Sequence, residues 1–155
     1  MKRNLIFFLI ISLTSLTACS WQEYFVISNM SDETAKVEYC ITMNFGGFPL
    51  FENDPDFFRI AENGNINWEK NIEKELNSIS DTIISFELNK KEAAIIGRLS
   101  NDHYTGYNQY FINGRVFNLN YINIISKTDT VRIIPESFDK YFSKVKGYIT
   151  CTIKK

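Results

Sequence analysis

From Lys36 to Met43 the side chains alternate without a break. Val37, Tyr39, Ile41 and Met43 point one way, and Lys36, Glu38, Cys40 and Thr42 point the other. Wound into a helix, this pattern would scatter its apolar groups around the whole circumference. Laid out as a strand, it gives one buried and one wet face. Similar segments recur along the chain. Trp21 to Ile27, Phe57 to Ile60, Asp81 to Leu88, Tyr121 to Ile125, Thr130 to Ile134 and Tyr148 to Lys154 are short and rich in β-branched and aromatic residues. Polar or Gly/Pro-containing turns separate them, such as Ser28–Glu33, Gly46-Gly47 with Pro49, and Asn63-Gly64. Tyr107 to Ile112 and Arg115 to Asn120 flank Asn113-Gly114, which predicts a hairpin with a two-residue loop, pairing Phe111 with Val116 and Tyr110 with Phe117.

Three segments carry helical spacing instead. Asn67 is placed to cap a helix over Trp68 to Asn77, with Trp68, Ile72 and Leu76 on one face. Asn89-Lys90-Lys91-Glu92 has the form of a capping box opening a short helix that Gly97 would stop. Phe138, Tyr141, Phe142 and Val145 follow Pro135 at helical intervals and end at Gly147. The expected fold is therefore mainly β: an antiparallel β-sandwich, immunoglobulin-like in its run of short strands, with two or three short helices. The alternative is an α+β fold with a single antiparallel sheet covered by helices.

The chain starts differently. Lys2 and Arg3 precede the apolar run Leu5-Ile6-Phe7-Phe8-Leu9-Ile10-Ile11, and a softer stretch of Ser, Leu and Thr leads to Cys19. A basic start, an apolar block and a small-residue boundary form an export signal. A bilayer span needs ~20 apolar residues, about twice this run. Leu16-Thr17-Ala18-Cys19 closes the block and resembles the lipobox of bacterial lipoproteins. That resemblance implies cleavage before Cys19, a diacylglyceryl group on its thiol and acylation of the new amino terminus. The alternative is an ordinary secretory signal with a cysteine at its boundary. In enterobacterial members of the family an Asp after the Cys favours the inner membrane. Ser20 stands there, so the resemblance implies an envelope protein of the outer membrane, anchored by lipid.

On this reading residues 1–18 are a signal peptide and 19–155 a single β-rich extracytoplasmic domain. Loss of Lys2 and Arg3 takes the net charge from −1 to −3. A mildly acidic chain lacks the basic face that nucleic acid requires. Only Ser20 separates Cys19 from the strand at Trp21, and an extended residue spans ~3.3 Å, so the domain should sit against the headgroups with Trp21 at the interface.

Candidate sites are few. With Cys19 lipidated, Cys40 and Cys151 remain as a pair that an oxidising compartment allows to bridge. However, Cys40 shares its face with Lys36 and Glu38, and Cys151 with Ile149 and Ile153, so two separate thiols is the other reading. Glu52, Asp54 and Asp56 gather oxygen ligands at a density that suits calcium, without EF-hand spacing; a polar turn before an edge strand explains them equally. Tyr104, Tyr107 and Tyr110 recur every third residue and could offer flat rings to a glycan or a protein, or could pack across the hairpin. His103, the sole histidine, has Asp102 beside it but no nucleophile elbow elsewhere. No catalytic residues and no cofactor are expected. The expected function is a non-catalytic binding or scaffolding role close to the membrane, with an envelope protein or glycan as partner. The alternative is a glycan- or surface-protein-binding module using the aromatic hairpin 104–120.

Overall fold

The computed structural model describes residues 20–43, 46–77 and 80–154, so the signal segment and Cys19 lie outside the described residues. Among the described residues twelve strands run in chain order: β1 (Gln22–Asn29), β2 (Ala35–Ile41), β3 (Phe48–Pro49), β4 (Phe51–Ile60), β5 (Ile66–Asn71), β6 (Ile83–Leu88), β7 (Glu92–Ser100), β8 (Arg115–Val116), β9 (Leu119–Ile125), β10 (Thr130–Ile133), β11 (Ser143–Val145) and β12 (Tyr148–Ile153). They form a six-stranded sheet in the order β11-β12-β1-β7-β4-β5, a four-stranded sheet in the order β10-β9-β2-β6, and a small pair β3-β8. All pairings in the two large sheets are antiparallel except β1 with β12.

The expected β-sandwich is therefore present, and the single sheet covered by helices is not. Alternation in β2 holds as read: Val37, Tyr39 and Ile41 are buried, while Lys36 is exposed and Cys40 half-buried. Phe25 and Ile27 of β1, Phe51 and Phe57 of β4, Ala94 and Ile96 of β7 and Ile149 of β12 meet Val37, Tyr39, Ile84, Phe86, Ile122 and Ile124 from the facing sheet. Burying ten or more such side chains supplies the apolar driving force, ~1.5–3 kcal/mol each.

The helical expectations are mostly corrected. One four-residue helix, α1 (Phe138–Tyr141), follows a 3₁₀ turn at Pro135–Ser137. Its Phe138 and Phe142 rings stack at 4.0 Å and plug the sandwich against Phe25, Phe51 and Phe117. Phe142 then turns extended, because Ser143 to Val145 pairs with β12 instead of continuing the helix.

The stretch expected as a helix over Trp68 to Asn77 is strand β5 followed by an irregular segment. Its apolar residues serve opposite sides: Trp68 covers the outer face of the six-stranded sheet, while Ile72 and Leu76 pack into the inner core. No single helical face could do both. The bond expected of the capping box at Asn89 is real, since the Glu92 carboxylate accepts the Asn89 N–H at 2.8 Å. It closes the β6–β7 turn rather than opening a helix. Lys91 has φ +59°, and Glu92 opens a strand buried from Glu92 to Gly97.

Cys40 and Cys151 are both free. Cys40 sits on the outward face of β2 in one sheet and Cys151 on the inward face of β12 in the other, so the bridge weighed from the sequence does not form. Burial pushes the Cys151 thiol up to about 11.

Candidate binding surfaces

β1 begins at Gln22, whose partner is Ser100 at the end of β7. The strand starts here because Glu23, Phe25 and Ile27 fall inward in phase. A carboxylate in an inward position needs partners, and Glu23 has three. One oxygen accepts from Lys144 Nζ at 2.6 Å and from His103 Nδ1 at 2.7 Å; the other accepts from the Tyr104 N–H at 2.8 Å. Burial raises its pKa, but the Lys144, His103 and Tyr104 hydrogen bonds outweigh that, and the carboxyl sits below its ordinary value. An ionised carboxylate only accepts, so His103 carries its proton on Nδ1. The exposed imidazole stacks on Trp21, with 5.2 Å between ring centres.

The next residues form a knot of side chain to backbone bonds. Asn101, at φ +54°, donates its N–H to the Trp21 carbonyl. Buried Asp102 accepts from the His103 N–H with one oxygen and from the Ile112 N–H with the other, both at 2.7 Å. Gln109 accepts from the Thr105 N–H, the Thr105 hydroxyl and the Gly106 N–H, and donates to the His103 carbonyl at 2.7 Å. Asn113 donates to the Ser100 carbonyl at 2.7 Å.

These bonds explain why the expected hairpin is absent. The Asn113-Gly114 turn exists, with Gly114 at φ +65° and its N–H on the Phe111 carbonyl. Its upstream arm, however, is claimed by Asp102 and Gln109. Its downstream arm, β8, pairs in parallel with β3. The pairings of Phe111 with Val116 and of Tyr110 with Phe117 do not form.

The three tyrosines accordingly separate. Tyr104 is buried edge-on to Phe25 at 5.1 Å and donates its hydroxyl to Asp139. Burial and that carboxylate raise its pKa. Tyr107 is half-buried against Phe117, and Tyr110 stands fully in solvent. They make no row.

Glu52, Asp54 and Asp56 lie in β4, where the register jumps from Phe51 to Asp56 and the residues between bulge out of the ladder. Arg98 closes the neck of the bulge, donating to Glu52 at 2.9 Å and to Asp56. Asp54 is exposed at its tip. The guanidinium occupies two of the three carboxylates proposed for a cation, and no group of three metal-binding side chains is assembled among the described residues.

A feature the sequence reading missed is the outer face of the six-stranded sheet. Val26, Phe58, Ile60, Ala93 and Ile95 form a second buried cluster there. Trp68 caps it, 5.0 Å from the Tyr24 ring and 5.1 Å from the Phe58 ring, with its Nε1–H donated to the Tyr148 hydroxyl at 3.2 Å. Beside it runs a trough of about 360 Å³, floored by Val26, Ile60 and Ala93 and edged by Ser143, Thr150 and Thr152. The signal lay in β1 and β7: apolar residues in both phases mark a sheet covered on both faces. Comparisons with protein-family models, with curated proteins and with solved structures return no match.

Proposed function

We propose that the chain is a lipid-anchored lipoprotein of the bacterial envelope, acylated at Cys19, whose β-sandwich does non-catalytic binding or scaffolding work against the membrane surface. The observation that carries this reading is a spacing. The lipobox ends at Cys19, and the first strand of the sandwich starts at Gln22. Three residue steps separate them, ~10 Å at full extension. More than one acyl chain on such a cysteine would make release slow, since each buried CH₂ contributes ~0.8 kcal/mol. The outer-membrane address rests on Ser20 alone, by resemblance.

A scaffolding role fits the way polar side chains are used at the end of the sandwich where β1 begins. Glu23, Asp102, Gln109 and Asp139 are each engaged with loop backbone or neighbouring side chains, which is the work of fastening a loop. The test is metabolic labelling of cells with a fatty-acid analogue. Wild type takes up label and fractionates with membranes; Cys19→Ala does neither. Label retained by Cys19→Ala would overturn the anchor.

A second reading, glycan binding, is favoured by one observation. The exposed Trp68 ring and the half-buried rings of Tyr24 and Tyr148 lie beside a hydroxyl-edged trough, so this reading moves from segment 104–120 to the outer sheet face. Trp68 emission that shifts with added envelope polysaccharide, and no longer does so after Tyr148→Ala, would support it. An unchanged spectrum at saturating polysaccharide would remove it.

A further inference from the structure

We propose that the end of the sandwich where β1 begins is a membrane-inserting rim, in which Trp21, Phe48, Tyr110 and Ile112 enter the headgroup region of the bilayer carrying the chain. This deepens the reading of Cys19 as the anchor and rests on it. The four side chains come from three distant parts of the sequence and are drawn to one place by bonds already described. The Trp21 carbonyl holds Asn101, and the Trp21 ring lies on His103. The Ile112 N–H is held by Asp102, and Gln109, next to Tyr110, holds the His103 carbonyl. The Phe48 N–H donates to the Gly114 carbonyl. Residues 100–103 are thus the shared spine of the rim.

The exposure there is concentrated. Tyr110 is 98% exposed, Ile112 85%, Phe48 67% and Trp21 46%. Tyr110, Ile112 and Phe48 are the three most exposed large apolar side chains among the described residues, and the fourth, Val145, flanks the β11–β12 turn at the same end. Single exposed apolar residues are ordinary, but a cluster of them marks a contact surface. Asp102 and Gln109 pin the backbone beneath these side chains, so they are held outward.

The chemistry of the rim suits a lipid surface. Trp and Tyr combine an apolar ring with a polar tip and favour the headgroup boundary, while Ile and Phe suit the acyl side of it. Exposed Lys146, in the β11–β12 turn, and Arg115, next to Gly114, carry positive charge for lipid phosphates, while the Lys144 ammonium is paired with Glu23. The nearby acids Glu23 and Asp102 are buried and engaged internally, although exposed Asp139 remains, bonded to Tyr104. Where the chain enters also decides the occupant. Only Ser20 lies between Trp21 and Cys19, so a membrane holding Cys19 lies within one residue of this rim.

The test uses the full lipidated protein in vesicles of phosphatidylethanolamine and phosphatidylglycerol, some carrying brominated acyl chains. Trp68→Phe leaves Trp21 as the sole reporter. Trp68→Phe with Trp21→Phe and Ile112→Trp places the reporter on the loop, and Trp21→Phe alone leaves Trp68 on the sheet face. The first two should lose about half their emission to shallow bromines, as side chains lying ~5–10 Å into the interface would, while Trp68 is unaffected. Equal emission with and without bromine at both rim positions, in protein whose Cys19 mass shows acylation, overturns the rim and leaves the anchor standing. Shielding from aqueous iodide without quenching by bromine also overturns it, because a protein then covers the rim. An unmodified Cys19 overturns both readings.

Discussion

Glu92 shows what a single buried charge does in this molecule. It is almost wholly enclosed, and its carboxylate receives Arg59 at 3.1 Å, Lys74, and the Asn89 N–H. Burial raises its pKa and these partners more than reverse that, so it is held below its ordinary value of 4.5, as is Glu23. Both folded-state values lie beneath the unfolded one. Their stabilisation is therefore complete above the unfolded pKa and is lost as pH falls through the folded values. Urea midpoints should fall on acidification below about pH 4.5, and Glu23→Gln with Glu92→Gln should flatten that acid limb. At neutral pH, Glu92→Gln leaves Lys74 facing a neutral amide and should cost about 3 kcal/mol by denaturant titration. Gly97 makes a different demand. A Cβ there would stand 2.4 Å from the Leu50 carbonyl oxygen, so Gly97→Ala should destabilise by about 1–3 kcal/mol in the same titration. Neither role could be assigned from the sequence. Glu23 shares its phase with Phe25 and Ile27 but went unread, and its partners Lys144 and His103 are distant in sequence, so only the fold brings them together.

Among the elements, most strands were legible, but β5 and β7 carried helical spacing, and of the three expected helices only the one after Pro135 forms, as a single turn. The period-two signal in β2 and the apolar runs of β1, β6, β9, β10 and β12 survive because a sheet face enforces alternation. Helical spacing at Trp68, Ile72 and Leu76 misled because two faces of one sheet edge can claim residues four apart for different cores. The Asn113-Gly114 turn was read correctly, yet its arms were lost to competitors that pattern alone cannot reveal, chiefly Asp102 and Gln109. Asn118 shows how side chains replace ladder bonds at such junctions. Its carbonyl oxygen accepts the Leu50 and Phe51 N–H groups, and its amide donates to the Phe51 carbonyl. The Leu50 N–H keeps the Val116 carbonyl at 3.1 Å, but Asn118→Ala takes the side-chain partner from the Phe51 N–H and carbonyl and should cost about 2–3 kcal/mol, read as a lowered melting midpoint. The free thiols give a second check on the elements. In the native protein a maleimide should label half-exposed Cys40, and buried Cys151 should react only after denaturation. Two protected thiols, released only by reductant, would contradict the sheet assignments of β2 and β12.

At the scale of the whole molecule, the sandwich places its two surfaces differently relative to the start of β1. The trough opens on the side of the six-stranded sheet, and the aromatic rim lies at the end where the chain enters. A short tether would turn the rim to the membrane and leave the trough facing along it, free to take a ligand. The class of fold followed from the sequence, but the trough and the rim did not, because each is assembled from residues of many strands and loops. The most direct measurement is the mass of the N-terminal peptide of the protein extracted from cell membranes. Envelope lipoprotein maturation predicts a chain beginning at Cys19, heavier than its sequence by a diacylglyceryl group and an N-acyl chain. A chain that begins elsewhere, or at Cys19 with a bare thiol, would contradict the anchor and the membrane-apposed arrangement built on it.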